Sequence, residues 1–559
     1  MTMTTCRSLI LGSSLLAASI ASAQEIADTV YLGGPILTIN DEQPTAEAVA
    51  VQDGRIIAVG SLDQIRLHQS AATRVFDLHG RAMLPGFVDS HGHVVMGGLQ
   101  ALSANLLAPP DGEVTDIASL QDSLRTWMEA NEAAVKKIKL IIGFGYDNAQ
   151  LAELRHPPRQ DLDAVSTEYP IMIVHQSGHL GVANSKALEL AGIDASTDNP
   201  PGGVIQRGSD GNPNGVLEEY AFFTALMPML SGLGPEGMQI FAKAGAEMWA
   251  RFGYTTAQDG RSSGGVVEAL KAVDQAGDLP IDVIAYPDVL ESKDYLEAHV
   301  SRTYTGHVRT GGCKLTIDGS PQGFTALRDR PYYDPVGDYP ENYAGYAAVT
   351  MKQVQDSVNW CYQHKMQIIT HANGEGASDM LISALKAAQK QYGDPGNRPV
   401  LIHGQFLRED QVDSYQELGV FMSLFPMHTF YWGDRHRDRF LGPTRAARLN
   451  PLNDAAQSGH RFTLHTDTPV VPMDPMMMIW SATERLTRSG KVLGAHQRID
   501  RLRALQAITR DAAWQAFLEQ ELGSLEKGKR ADFVVLSGSL LTAKDVRNIK
   551  VLKTFIDGK

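Results

Sequence analysis

The chain has 559 residues, 43% of them hydrophobic and 20% charged, which is ordinary globular composition and enough length for one large barrel plus a smaller module. With 64 acidic against 50 basic side chains the net charge is -14. No basic field therefore attracts nucleic acid or anionic lipid, and a small-molecule substrate is the expected partner.

In chain order, residues 1–23 have the layout of a cleavable secretory signal: Arg7, an apolar stretch from Leu9 to Ile20, then Ala21-Ser22-Ala23 before Gln24. This predicts a secreted, periplasmic protein, with a fraying N-terminal helix as the alternative. Cys6 lies too early to be a lipobox cysteine. No later segment is long and apolar enough to span a bilayer, so no membrane anchor is expected once the signal is removed. Removal leaves Cys313 and Cys361, read as buried free thiols in preference to a bridge.

Residues 24–84 read as short strands, among them "AVAVQDGRIIAVG", where Asp53-Gly54 marks a hairpin. Residues 521–559 return to the same style in "ADFVVL" and "VLKTFIDGK". The two chain ends are expected to pair into one small β module.

Between them, residues 85–520 alternate helix, turn and apolar strand, as in "SVNWCYQHKMQIITH" and "LNDAAQSGHRFTLHTD". Helices alternating with fully buried strands predict an α/β fold with a parallel sheet, closed over this length as a (β/α)8 TIM-type barrel. The proposed strands end in groups able to ligate metal: His91 and His93 in "LPGFVDSHGHV", Lys314 in "KLTIDGS", His371, His403 and Asp467. All strand C-termini of a barrel meet at one face, so these residues would converge there. His91 and His93, two apart on a strand, share a face, and Gly92 leaves room between them. Neutral imidazole suits a divalent metal such as zinc, as one ion or two.

The stretch at 198–219, "DNPPGGVIQRGSDGNPNGVLEE", reads as a hairpin excursion over the barrel mouth, or else as a passive surface loop. "GFGYDN" and "HTFYWGDRH" are aromatic and polar sequences expected in loops at that mouth. Tyr146, Tyr431 and Trp432 are expected to include at least one substrate contact, with packing as the alternative for any single one. His428 is a further substrate-binding candidate on the same terms.

Taken together, "LPGFVDSHGHV", "GGCKLTIDGS", "IITHANGEG", "VLIHGQ", "FTLHTDTPV" and "SLEKGKRADFVVL" resemble the amidohydrolase superfamily, specifically its amidohydrolase family 3 branch, the YtcJ-like group that includes N-substituted formamide deformylases. The similarity spans essentially the whole mature chain. It implies a (β/α)8 barrel flanked by a β-sandwich built from both chain ends. Carried over by motif, His91 and His93 would hold the more buried metal, His371 and His403 would serve the fifth and sixth strands, and Asp467 the eighth. Lys314 matches a lysine that some relatives carboxylate to bridge two metals; an ordinary lysine paired with Asp318 is the alternative. His179, in "HQSGHLGVANSKALELAGI", resembles a motif histidine that faces the pocket, which implies substrate binding or oxyanion stabilisation, or else a structural hydrogen bond. Two departures stand out: "HANGEG" carries Glu375 where aspartate is usual, and "DGSPQG" replaces "DGSLGS".

The resemblance implies hydrolysis of a C–N bond in an amide, N-substituted formamide or cyclic amide. Metal-acidified water would be the nucleophile and Asp467 the general base. Ester or lactone hydrolysis is the alternative within catalysis, and a regulatory or binding protein without turnover is the alternative outside it. The sequence leaves a homodimer open.

Overall fold

The computed structural model describes residues 25–336 and 339–559, so the signal-like segment 1–23 lies outside the described residues. Eight strands carry the centre of the fold: β1 (Phe87–Val88), β2 (Tyr254–Ser262), β3 (Asp282–Pro287), β4 (Gly312–Thr316), β5 (Gln367–Ala372), β6 (Val400–His403), β7 (Phe421–Leu424) and β8 (Phe462–Leu464). Runs such as "QIITHA" and "VLIH" do not alternate because both faces are covered; every residue of β3, β5, β6, β7 and β8 is buried.

Pairing is parallel throughout, as β1–β2–β3 and as β4–β5–β6–β7–β8. Two seams connect these sheets. At one, Asp288, just past β3, bridges Lys314 of β4. At the other, Asp467 N–H donates to His91 C=O (3.2 Å) and His93 N–H to Thr468 C=O (2.9 Å), so loop hydrogen bonds link the ends of β8 and β1. The arrangement is an α/β fold of the TIM-barrel type, and all eight strands point their C-termini to one side.

The two chain ends share a seven-stranded sheet, in which Ala82–Pro85 runs antiparallel to Phe533–Leu536. Its hairpin at Asp53-Gly54 has positive φ at both residues (48° and 76°), as that dipeptide demands.

One expectation needs correction. The region after β1 does not proceed directly to β2; it forms a separate six-stranded sheet running from Ala104–Asn105 to Pro213–Glu219, with its own apolar clusters. "GFGYDN" is therefore largely strand (Ile141–Tyr146). The hairpin expected at 198–219 is present, as Gly203–Arg207 against Pro213–Glu219, and it is the edge of this inserted sheet. Strands and helices alternate in the insertion much as they do in the barrel, so local pattern alone does not separate them.

Two helices bracket the insertion and return the chain to β2. Val94–Leu102 starts immediately after His93 and crosses Gly234–Arg251 at backbone distance. A Cβ on Gly245 would stand 1.9 Å from Val94 C=O, and one on Gly98 would stand 1.8 Å from Phe241 C=O. Gly245→Ala should therefore force the helices apart and lower stability by about 1–3 kcal/mol, read as a reduced denaturation midpoint in chemical unfolding.

Candidate functional site

β1 stops being apolar at Asp89, and the turn that follows is anchored from β2 and the insertion's return helix. Asp89 accepts hydrogen bonds from Trp249 Nε1 (2.8 Å), from the backbone of Gln258 (3.2 Å) and from the backbone of His91 (3.1 Å). Burial pushes its carboxyl up to about 6, against the pull of those donors. A Cβ at Gly92 would meet Asp89 Oδ2 at 2.6 Å and the Trp249 ring at 2.8 Å. The room that Gly92 leaves is thus taken by Trp249 and Asp89, and a ligand would approach the histidines from their side-chain face instead.

Beyond this turn, donors from opposite ends of the chain meet. His93 Nε2 lies 3.1 Å and His91 Nε2 3.4 Å from Asp467 Oδ1, and the three atoms all lie within 4.8 Å of one another. His403 Nε2 is 3.7 Å from Asp467 Oδ2, and the His371 ring packs edge-on against His403 with centroids 4.5 Å apart. His403 (φ 77°) and Asp467 (φ 54°) both hold left-handed backbone, a strain of about 1–3 kcal/mol each that other contacts must sustain.

This set fits a divalent cation. Ligands 2.0–2.1 Å from a tetrahedral zinc stand about 3.3 Å apart, close to the separations seen here. The proton positions fit as well. The Gln258 carbonyl, 3.0 Å away, takes the His91 Nδ1 proton, which leaves the Nε2 lone pair facing a carboxylate oxygen. Atoms this close need positive charge or a shared proton among them, which Lys314 Nζ, 3.3 Å from His91 Nε2, or a bound cation can supply. Burial holds His91, His371 and His403 far below the ordinary imidazole range, so all three rings are neutral, the state a metal requires. Burial alone would raise the Asp467 carboxyl; the hydrogen bond and charge of His93, with the charge of Lys314, outweigh it and hold Asp467 below the usual carboxylate range.

Lys314 is buried, with its Nζ 3.3 Å from His91 Nε2. Burial lowers its ammonium to about 7, so a large neutral fraction exists at neutral pH. It does not pair with Asp318. That carboxylate accepts instead from the backbone N–H groups of Leu327, Asn373 and Gly374 (2.9–3.0 Å) and lies 3.2 Å from His371 Nδ1.

His179 approaches from the insertion, its ring 5.1 Å from that of His371. Its Nδ1 is 2.7 Å from Glu219 Oε2, and Glu219 also accepts from Thr325 Oγ1 (2.6 Å). Burial works against a charged imidazole, but the charge and hydrogen bond of Glu219 prevail and raise the His179 pKa. Glu219 itself holds φ 48°, a third strained residue at the mouth.

The aromatic candidates do not join this cluster. Tyr146 is fully buried in the insertion, its OH 3.0 Å from His156 Nδ1. Tyr431 donates to Asp111 (2.7 Å) and Trp432 to Asp147 (2.8 Å), so both fasten the segment after β7 to the insertion. His428 bonds His436 (3.1 Å) and reaches the site only through Phe425, which packs between it and His465. The expected aromatic pocket wall is instead a packed seam between two layers, because each polar tip finds a partner on the insertion or within its own loop.

A family model described as the amidohydrolase family matches residues 74–559. The chain belongs to the amidohydrolase family. Membership places it among the amidohydrolases. Among relatives, it is 28% identical over 552 residues to Protein LONG AFTER FAR-RED 3 of Arabidopsis thaliana, covering 96% of this chain and 91% of that one. It is 24% identical over 550 residues to the N-substituted formamide deformylase of Arthrobacter pascens, covering 96% and 98%. An uncharacterized metal-dependent hydrolase from Pyrococcus horikoshii has the same fold, with TM-score 0.73 at 23% identity over 92% of this chain and 99% of that one.

In this amidohydrolase the unusual Glu375 has a structural reason. Its buried carboxylate lies 2.7 Å from Arg445 and 3.4 Å from Arg328, and its extra methylene lengthens the reach by which it joins the two arginines. Gln258, His465, Ser423 and Glu219 also shape the site, and sequence reasoning passed over their roles. Only His465 carried a signal, being two residues before Asp467 at the end of the same strand. On β2, Gly260 abuts His91 so closely that a Cβ would stand 2.3 Å from its Cε1. Gly260→Ala should displace His91 and weaken zinc affinity by about 10-fold or more, measured by competition with a chromophoric chelator on protein whose circular dichroism is unchanged.

Proposed function

We propose that this amidohydrolase cleaves the C–N bond of a small amide, N-substituted formamide or cyclic amide, using zinc held by His91, His93 and Asp467. The observation that carries this reading is the convergence of two imidazole nitrogens and one carboxylate at cation-binding separations. His371 and His403 would serve a second ion, with Lys314, whose amine is easily neutral, available as its carbamate. The signal-like residues 1–23 support a periplasmic location. The relative named as a formamide deformylase supports the substrate class.

A cation bound there supplies Lewis acidity for the carbonyl and acidifies a water molecule. The chain's own groups supply the rest. Asp467 Oδ1 spans the two histidines, which leaves Oδ2 to take the proton from the attacking water and deliver it to the departing nitrogen. An amine leaves poorly without that proton, whereas an alkoxide needs it less, so a carboxylate in this position favours amides over esters. His179, whose pKa Glu219 raises, is poised to stabilise negative charge developing on the carbonyl oxygen.

Two measurements test this. N-formyl amines, cyclic imides and matched esters are offered to the full chain before and after chelation. Turnover of a C–N substrate should fall at least about a hundredfold on metal removal, equivalent to about 2.7 kcal/mol of barrier, and return with zinc. Undiminished turnover by metal-free protein, or turnover of esters alone, contradicts the reading. Separately, Glu219→Gln keeps the shape but removes the charge that raises the His179 pKa; kcat should drop by about tenfold or more with KM little changed, in steady-state assays.

A further inference from the structure

Behind His403 runs a chain of hydrogen bonds that admits one fully satisfied order of protons. The Leu464 carbonyl can only accept, so the Ser90 hydroxyl donates to it (2.9 Å). Ser90 Oγ then accepts from Ser423 Oγ–H (3.2 Å), and Ser423 Oγ accepts from His465 Nδ1–H (2.9 Å). With its proton on Nδ1, a neutral His465 has its lone pair on Nε2, which accepts from His403 Nδ1–H (3.0 Å). That leaves the lone pair of His403 on Nε2, the atom 3.7 Å from Asp467 Oδ2.

Nothing else competes for these protons. Ser90, Ser423, His465 and His403 are each at most 2% exposed, so water cannot reorder the chain. The members come from the ends of β1, β6 and β8 and from within β7, and the relay crosses the seam where β8 meets β1.

We propose that Ser423 and His465 are positioning residues that fix His403 as its Nδ1–H tautomer and present its Nε2 lone pair to a metal ion. The proposal rests on reading the cluster as a metal centre, and it adds residues that touch neither metal nor substrate. Losing such a partner should weaken metal affinity by about 10–100-fold.

The test uses the full chain stripped of metal and labelled with 15N-histidine, His403 being assigned from the spectrum of His403→Gln. The wild type should show His403 protonated on Nδ1; protonation on Nε2 overturns the proposal whether or not zinc binds. If the wild type binds no zinc, the metal-centre reading fails, and the tautomer still decides the relay. With zinc as the probe, Ser423→Ala should bind about 10–100-fold more weakly while the metal-free protein keeps its Tm. Affinity within twofold of wild type overturns the proposal. Should Ser423→Ala lower the metal-free Tm, a pair at position 465 decides: His465→Gln keeps an acceptor for His403 and should retain affinity, whereas His465→Leu should lose it. Equal affinities for that pair overturn the proposal.

Discussion

Neutral imidazole nitrogens turned toward a buried carboxylate need positive charge among them, and the barrel mouth already brings Lys314 Nζ to 3.3 Å from His91 Nε2. His91 Nε2 faces Asp467 Oδ1 at 3.4 Å and His403 Nε2 faces Oδ2 at 3.7 Å. Desolvation keeps these rings from protonating, so they cannot relieve the contact by becoming cations themselves. On the proposed reading, a metal ion would take over the charge that Lys314 supplies to the cluster.

Such a cluster has to be held from behind. Two of the rings are held by a group on the far nitrogen, His91 by Gln258 and His403 by His465, while Asp318 lies 3.2 Å from His371 Nδ1. The strain at His403 and Asp467 belongs to the same account, since both backbones sit in conformations that only surrounding contacts can impose. Trp249, filling the space beside Gly92 and bonding Asp89, fixes the turn from which His91 projects. Removing any of these supports leaves the donor atoms present but wrongly aimed.

How much of this was legible in the sequence follows from where each constraint originates. Strand ends in a parallel barrel converge by topology, so His91, His93, Lys314, His371, His403 and Asp467 could be placed on one face from their positions alone. The inserted sheet could not be separated from the barrel, because its strands and helices repeat the same local pattern and differ only in which strand pairs with which. The supports were hidden for another reason. Gln258 lies 167 residues from His91, and nothing local to either marks the bond. Tyr431 and Trp432 misled because an aromatic loop that docks on a neighbouring layer has the same composition as one that lines a pocket. Glu375 looked like an erosion of a motif, and it proves to be a carboxylate reaching two arginines.

The division of labour between barrel and insertion bears on how the reaction is controlled. The barrel supplies every candidate metal donor, from strands whose spacing is set by the ladder and cannot drift independently. The insertion supplies His179 and Glu219, which are tied to each other twice, through their side chains and through Glu219 N–H to His179 C=O at 2.8 Å. Thr325 Oγ1 also bonds the pair to the segment that follows β4. On the proposed reading, metal chemistry and carbonyl polarisation would therefore be carried by separate layers of the fold. Alteration of the inserted sheet can change which carbonyl is accepted and how well its charge is met, while the donor geometry at the strand ends stays as the barrel holds it.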